Sequence, residues 1–211
     1  MEGATARWYS GLTKKSMEDF KALARATAEK LAPGASVLEV APGPGYFAVE
    51  LAKLGEYRVT GLDISQTFVE IARANAAEAR VTVEFQRGNA AEMPFADDTF
   101  DYLLCRAAFK NFSEPGKALQ EMHRVLKPGG RALIIDLRRD ASNESIAKAV
   151  DEMHVGAVNG LVTKLTFRFM LLKRAYTRVE FEEMVAETDF QGVEIREDLI
   201  GLEIGLTKGA A

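Results

Sequence analysis

The sequence predicts an α/β protein: a doubly wound, mostly parallel sheet with an antiparallel C-terminal hairpin strand and a helical cap. Three observations predict it. Short apolar runs alternate with helix-like runs from about residue 36 to residue 137. One of them, "RALIIDL" (131–137), is nearly continuous in apolar character, as suits a central parallel strand covered on both faces. The stretches "GVEIRED" (192–198) and "GLEIGLTK" (201–208) read as two strands joined by a short turn, which makes the last strand antiparallel. The 211 residues suit a single domain, 1–211, with a sizeable core.

The elements follow in order. Residues 16–31 place Met17, Phe20, Leu23, Ala24, Thr27, Ala28 and Leu31 on one helical face, with Ser16 and Asp19 as a capping box and Pro33-Gly34 as the stop. The first fifteen residues show no helical period; residues 1–32 together form an N-terminal cap built around that helix. "SVLEV" (36–40) is a strand, "YFAVELAKLG" a helix stopped by Gly55, "YRVTGLDI" (57–64) a second strand, and Ser65 caps a helix running to about Glu78. "RVTVEFQRG" (80–88) alternates as a third strand and "FDYLLCRAAF" (100–109) reads as a fourth. Ser113 opens a helix with Pro115 in its first turn, and Lys127-Pro128-Gly129-Gly130 closes it before the fifth strand. The rhythm breaks from Arg138 to about Tyr176, where helical stretches at 142–159 and 161–175 have no strand between them; an inserted helical cap, 138–178, is expected. Thr177 and Glu180 make a second capping box for a helix to about Glu187.

Composition narrows the function classes. Twenty-seven basic and 31 acidic residues give a formal charge of −4, which lacks the basic footprint of a nucleic-acid binder. The start has no apolar signal-peptide core, and no run approaches the ~20 apolar residues of a membrane span. The single cysteine, Cys105, lies in an apolar run and reads as core. A cytoplasmic protein is expected, with no metal site.

The chemistry concentrates in "LEVAPGPGYFAVELA" (38–52). A strand, a Gly-rich turn and a helix form the mononucleotide-binding unit of open α/β sheets. Gly43 and Gly45 let a ligand approach the backbone, and Pro42 and Pro44 stiffen the loop. Asp63 ends the second strand 18 residues beyond Gly45, where a carboxylate can accept both ribose hydroxyls. The spacing Gly43-x-Gly45-x-x-Ala48 also fits a weak dinucleotide fingerprint. Against that reading, Glu39 stands where an incoming pyrophosphate would meet a carboxylate, and the terminal hairpin is not the ordinary dinucleotide-fold ending.

Four stretches in order, "VLEVAPGPG", "GLDIS", "GNAAEMPFADDTFDYLLC" and "ALQEMHRVLKPGGRALIID", resemble the class I S-adenosylmethionine-dependent methyltransferases, in the broad branch that methylates small molecules. The resemblance covers about residues 36–137, and the terminal hairpin agrees with that Rossmann-like methyltransferase fold. It implies S-adenosylmethionine as cofactor, S-adenosylhomocysteine as product and a small-molecule methyl acceptor. It places Glu39 near the cationic methionine end, Ala41, Gly43 and Gly45 along the loop, and Asp63 on the ribose. Ile64 would pack on the adenine, Asn89 and Ala90 would meet its edge, and Arg106 would border the methionine portion, mostly through backbone. Three departures stand out: Ala41 where many members have glycine, Asn89 where aspartate is commoner, and "AFKNF" in place of a frequent histidine-containing stretch.

Transfer of an activated methyl group needs alignment more than a covalent intermediate, and a base only if the acceptor must lose a proton. The acceptor pocket is expected at the carboxyl ends of the strands, roofed by residues 1–15 and 138–178. Trp8, Tyr9, Lys110, Asn111 and His154 are its candidate lining, with Trp8 and Tyr9 alternatively a staple for the first helix. Two other functions stay open at this point: a nicotinamide-dependent oxidoreductase, and a non-catalytic S-adenosylmethionine-binding module.

Overall fold

The computed structural model describes residues 1–152 and 172–210. Seven strands form one sheet: β1 (Ser36–Val40), β2 (Arg58–Asp63), β3 (Glu84–Arg87), β4 (Phe100–Arg106), β5 (Leu126–Leu137), β6 (Gly192–Glu197) and β7 (Gly201–Thr207). Their order is β3-β2-β1-β4-β5-β7-β6. β1 to β5 run parallel, while β7 pairs antiparallel with both β5 and β6. The doubly wound sheet and its antiparallel hairpin are those the sequence predicts. The winding reverses between β1 and β4, so the carboxyl ends of these two strands form the crevice where open α/β sheets bind ligands.

All five residues of β1 are buried, because helices cover both faces of the sheet's centre. On one face α2 (Met17–Ala28), α3 (Tyr46–Ala52) and α4 (Gln66–Ala79) pack Phe47, Leu51, Val69 and Ala72 against Val37, Val59 and Leu104. On the other, α5 (Pro115–Val125) and the helix Arg178–Ala186 pack Leu119, Met122, Phe181 and Val185 against Leu38, Leu103, Cys105 and Ile134. Cys105 is fully buried, as expected, and burial pushes its thiol well above the ordinary range. The capping box predicted at Thr177 and Glu180 is present in both directions.

Several expectations change. The first fifteen residues are not irregular: Gly3–Thr13 form a helix, α1. Gly3 and Gly11 dilute its period, and Ala4, Thr5, Arg7 and Trp8 are exposed, so the apolar signal is weak. The Ser16 side chain caps nothing; the chain passes through a single 3₁₀ turn, Lys14–Ser16, straight into α2. The third strand is shorter than 80–88, because Arg80 takes the left-handed conformation that ends α4 and Val81 folds back onto Ala76. The fourth ends at Arg106 rather than 109, where Ala107 turns to φ +56°. The Lys127–Gly130 stretch does not separate helix from strand but belongs to β5, as a bulge opposite Phe100–Tyr102. Ser113 likewise makes no cap; Glu114 precedes α5.

In the predicted inserted cap, α6 (Asn143–Glu152) buries Ile146 and Val150 with Leu172, against Leu137 and Ile200. The rest of the two expected cap helices, and His154 with them, falls outside the described residues apart from a turn at Leu172–Arg174. The exposed Arg139 and Arg178 of this region pair with Glu180 and Glu182. Among the described residues no helix is long and apolar enough to cross a membrane.

Candidate functional site

The carboxyl ends of β1 and β2 hold two buried carboxylates. Glu39 is 3% exposed and accepts a hydrogen bond from the Ala48 backbone N–H at 3.1 Å. Burial pushes its carboxyl up to about 8, only partly opposed by the Ala48 N–H and the positive charge of Arg106. Asp63 is 5% exposed. Its two oxygens accept separate backbone bonds, one from Gly43 N–H at 3.0 Å and one from Ser65 N–H at 2.9 Å. Burial still raises its pKa above the ordinary aspartate value, against those two N–H groups. Each oxygen keeps a further lone-pair direction for an incoming hydroxyl. Asp63 thus ties the tip of the Gly/Pro loop to the end of β2, so one side chain shapes the loop.

The two glycines of the loop serve different ends. Gly43 has φ +54°, and a Cβ built there meets nothing within 4 Å, so the space over its backbone is open. Gly45, at φ +73°, would place a Cβ 2.7 Å from the Phe85 ring and 2.9 Å from Ala72. Its bareness lets α3 start hard against α4 and β3. Ala41 occupies a left-handed conformation, φ +55°, where glycine is ordinarily favoured, and its N–H bonds to Leu62 O at 2.7 Å. Ala107, at the end of β4, repeats this with φ +56°. Two non-glycine residues in that region, on adjacent strand ends, mark this edge as held in strained geometry by its surroundings.

Beside the loop lies a cleft of about 100 Å³, lined among others by Ala41, Ile64, Asn89, Ala90 and Asn111. Ile64 is 62% exposed, an apolar side chain left open next to this cleft. Asn89 is exposed, and its Oδ1 accepts the Ala91 N–H at 3.1 Å. Asn111, a candidate for the acceptor pocket, lines this cleft. Lys110 does not face an open pocket: its ammonium forms an ion pair with Asp136 at 2.7 Å and also bonds Ala107 O, with both side chains of the pair buried. Asp136 further accepts the Lys110 N–H at 2.9 Å, so the pair fixes the turn after β4.

The N-terminal segment lies over this edge. The Glu2 carboxylate accepts bonds from Gln66 N–H at 3.0 Å, Thr67 N–H at 3.1 Å and Thr67 Oγ1 at 2.6 Å, capping α4 from a distant part of the chain. These bonds pull its carboxyl down to about 2. Tyr9 meets Phe68 edge-on at 6.0 Å, and its hydroxyl has no hydrogen-bond partner among the described residues. Burial raises its pKa, with Arg106 and Asp136 both within electrostatic reach. Ser10 bonds the Tyr46 hydroxyl at 3.2 Å. Trp8, a candidate for the pocket lining, is 66% exposed. Arg106 sets its guanidinium 4.5 Å from the centre of the Phe20 ring. His123 packs edge-on against Phe190, a packing role.

The structure therefore brings together Glu39, Ala41, Gly43, Gly45, Asp63, Ile64, Asn89, Ala90 and Arg106, with Tyr9 beside them. Sequence reasoning missed Glu2, Phe20, Ala107 and Asp136. Of these only Asp136 carried a signal, a carboxylate at a strand end like Asp63. Among the described residues no group of three or more His, Cys, Asp or Glu could hold a metal ion. The residues present fit S-adenosylmethionine: an open cradle over Gly43, a carboxylate for the ribose, an apolar shelf at Ile64 and an acid for the cationic end.

Residues 38–134 match the family model described as a methyltransferase domain. A demethylmenaquinone methyltransferase of Deinococcus radiodurans is 36% identical over 107 residues, 50% of this chain and 44% of that protein. Another of that name, from Chlorobaculum parvum, is 33% identical over 135 residues, 63% and 54% of the two chains. The chain spans about half the length of these curated relatives. Among solved structures, a proposed S-adenosyl-L-methionine-dependent methyltransferase of Methanococcus maripaludis superposes with a TM-score of 0.76 at 19% identity, over 98% of this chain and 93% of that one. The cyclase SpnF superposes at 0.70, also at 19% identity, over 90% and 81%. At such identities the structural likeness speaks for the fold alone. The methyltransferase-domain match over residues 38–134, with the sheet order and the two carboxylates about the Gly/Pro loop, supports a class I S-adenosylmethionine-dependent methyltransferase.

Proposed function

We propose that this protein transfers a methyl group from S-adenosylmethionine to a small-molecule acceptor, and that the acceptor is a quinone-type aromatic such as demethylmenaquinone in its reduced form. The observation that carries the transfer reading is the Asp63–Gly43 bond beside buried Glu39: a built cradle with an acid at each end. The acceptor class is supported by the names of the relatives. When bound, the cofactor supplies a methyl group already activated on a sulfonium. The protein's own task is then positional. Asp63 holds the ribose side, Ile64 and Ala90 the adenine side, and the Gly43 backbone leaves room between them. Glu39 offers a carboxylate to the cationic end, where ionisation becomes favourable once the positive charge arrives. α1 and α2 roof the edge with Tyr9 and Phe20 and exclude water there, which strengthens the electrostatics that align donor and acceptor.

The test is calorimetric titration with S-adenosylhomocysteine and with NAD, followed by methyl transfer from labelled cofactor to a short-chain demethylmenaquinol. Binding of the homocysteine compound but not NAD is expected, with labelled menaquinol as product. NAD binding alone would restore the oxidoreductase reading, and cofactor binding with no transfer to any small aromatic would leave a binding module.

A further inference from the structure

We propose that Arg106 is a specificity-determining residue whose guanidinium receives an ionised oxygen of the methyl acceptor. The inference rests on the methyl-transfer reading and adds to it a requirement on the acceptor: a phenol- or enol-type oxygen next to the atom that takes the methyl group.

The first ground is an unanswered charge. Three arginines among the described residues are half-buried: Arg106, Arg124 and Arg138. Arg124 holds Glu121 and Asp97, and Arg138 holds Asp140 and Glu197. Arg106 has neither an ion pair nor a hydrogen-bonded acceptor among the described residues; its one close partner is the face of the Phe20 ring. A guanidinium stays charged whatever its surroundings, and a half-buried one left without an acceptor is costly. The Phe20 ring holds the guanidinium at 4.5 Å from its centre but accepts no full charge, so N–H donors remain for an anion.

The second ground is place. Alternation along β4 puts Arg106 on the same sheet face as Tyr102 and Leu104, and β1 sets Glu39 beside Leu104. Arg106 therefore stands just above Glu39 at the switch between β1 and β4. Glu39 does not neutralise it: no ion pair joins them, and the Glu39 carboxyl is engaged by Ala48 N–H and largely protonated in neutral solution. Of the other acids near this edge, Asp136 is committed to Lys110 and Asp63 to the Gly43 and Ser65 N–H groups. Tyr9, with its unpartnered hydroxyl, lies within electrostatic reach of Arg106. A guanidinium and a hydroxyl thus share one side of the crevice with no ion pair to Arg106 among the described residues.

The chemistry follows. A ring carbon or oxygen attacks a methyl group faster when a neighbouring hydroxyl has lost its proton, and a fixed cation stabilises that ionised form. No covalent bond to the protein forms: the hydroxyl proton leaves to solvent before attack, at a cost the guanidinium lowers. The bond to the methyl group would form as its bond to sulfur breaks, the sulfur keeping that electron pair as S-adenosylhomocysteine. A ring carbon that took the methyl would then lose its own proton to solvent.

The cofactor's own carboxylate presents the same chemistry, so the experiment separates the two. Wild type, Arg106→Gln and Arg106→Lys are titrated with S-adenosylhomocysteine. Each is then saturated with it and titrated in neutral buffer with 2-hydroxy-1,4-naphthoquinone, which is ionised there, and with neutral 1,4-naphthoquinone. Wild type should prefer the ionised compound by about tenfold or more, the worth of one charge-assisted hydrogen bond. Arg106→Gln should erase the preference while keeping cofactor-product affinity within about threefold, and Arg106→Lys should restore part of it. Circular dichroism on each variant controls for folding, and the lysine variant carries the test if the glutamine variant misfolds. A tenfold loss of S-adenosylhomocysteine affinity in Arg106→Gln would overturn the proposal and give the guanidinium to the cofactor. So would a preference that survives the change, or wild type with no preference. Failure of wild type to bind S-adenosylhomocysteine is a different result, which removes the methyl-transfer reading and this assignment with it.

Discussion

Glu39 and Asp63 are similarly buried but differ in how many backbone N–H groups answer them. Glu39 meets one backbone N–H and is held protonated with a pKa of about 8, well above the ordinary glutamate value. The sign for stability follows directly. The unfolded chain ionises Glu39 near its ordinary value, while the folded chain keeps the proton until about pH 8. Stability therefore falls through that window, by about 1.4 kcal/mol per pH unit at most, and levels off above it. Cofactor binding runs the other way, because a cation beside Glu39 favours the ionised form. Affinity for S-adenosylmethionine should rise with pH up to about 8, where the free protein's Glu39 is itself ionised. In Glu39→Gln the thermal midpoint at neutral pH should rise, and calorimetry from pH 6 to 9 should show that the affinity slope has gone. A variant with the wild-type slope would assign the proton to another group. Asp63, with two N–H bonds, supports the loop, and the proposed ribose contact adds a second duty. Asp63→Asn turns one acceptor into a donor facing a backbone N–H. S-adenosylhomocysteine affinity should fall by about 1.5–3 kcal/mol, one charge-assisted bond, and the melting temperature should fall too. An unchanged affinity would leave Asp63 a strand terminus only. Both carboxylates were legible in the sequence, since an acid at a strand end beside a Gly/Pro turn has few structural reasons. Glu2 was not, because its partners lie some sixty-five residues away and nothing local marks it.

Elements were legible where the local signal and the tertiary fold agreed. β1, α4 and the Thr177 capping box stand where periodicity and capping chemistry put them. The N-terminal helix was hidden because tertiary docking, not its own pattern, makes it a helix: Glu2, Tyr9 and Ser10 bind it to α4 and Tyr46. β5 was cut short in the reading because Pro128-Gly129-Gly130 looks like punctuation, yet a bulge absorbs those residues and the strand continues. The Gly45 contact belongs to this scale. The sequence suggested that this glycine makes way for a ligand, but Phe85 and Ala72 occupy the space a side chain would need. Gly45→Ala adds a methyl group at positive φ into a packed junction of α3, α4 and β3. It should destabilise the protein by about 1–3 kcal/mol, seen as a lower denaturation midpoint in urea. Gly43→Ala, with open space around it, should cost less stability and weaken cofactor-product binding more. Equal stability losses for the two would refute this division of labour.

At the scale of the whole molecule the fold resolves into a rigid centre and an attached roof. β1, β2 and β4 carry the cradle, while α1 is held by a handful of partly exposed bonds. Removing residues 1–13 should therefore leave a single cooperative unfolding transition and nearly intact S-adenosylhomocysteine affinity, while methyl transfer falls strongly. Full turnover by the truncated protein would show that α1 is only an ornament of α4. The doubly wound order was readable because strand and helix alternate in sequence as they do in space. The order β5-β7-β6 has a further consequence for how the chain is made. β7 lies between β5 and β6, so the last of these seven strands to be synthesised is inserted into the interior of the sheet. Until Gly201–Thr207 emerge, β5 presents Ala132, Leu133 and Ile134 along an edge with no partner, and β6 has nothing to pair with. A nascent chain of this protein passes through a long interval with a bare, apolar strand edge, the kind of surface that invites pairing with a neighbouring copy. Ribosome-bound intermediates stalled between residues 140 and 200 should be the species most dependent on chaperone protection.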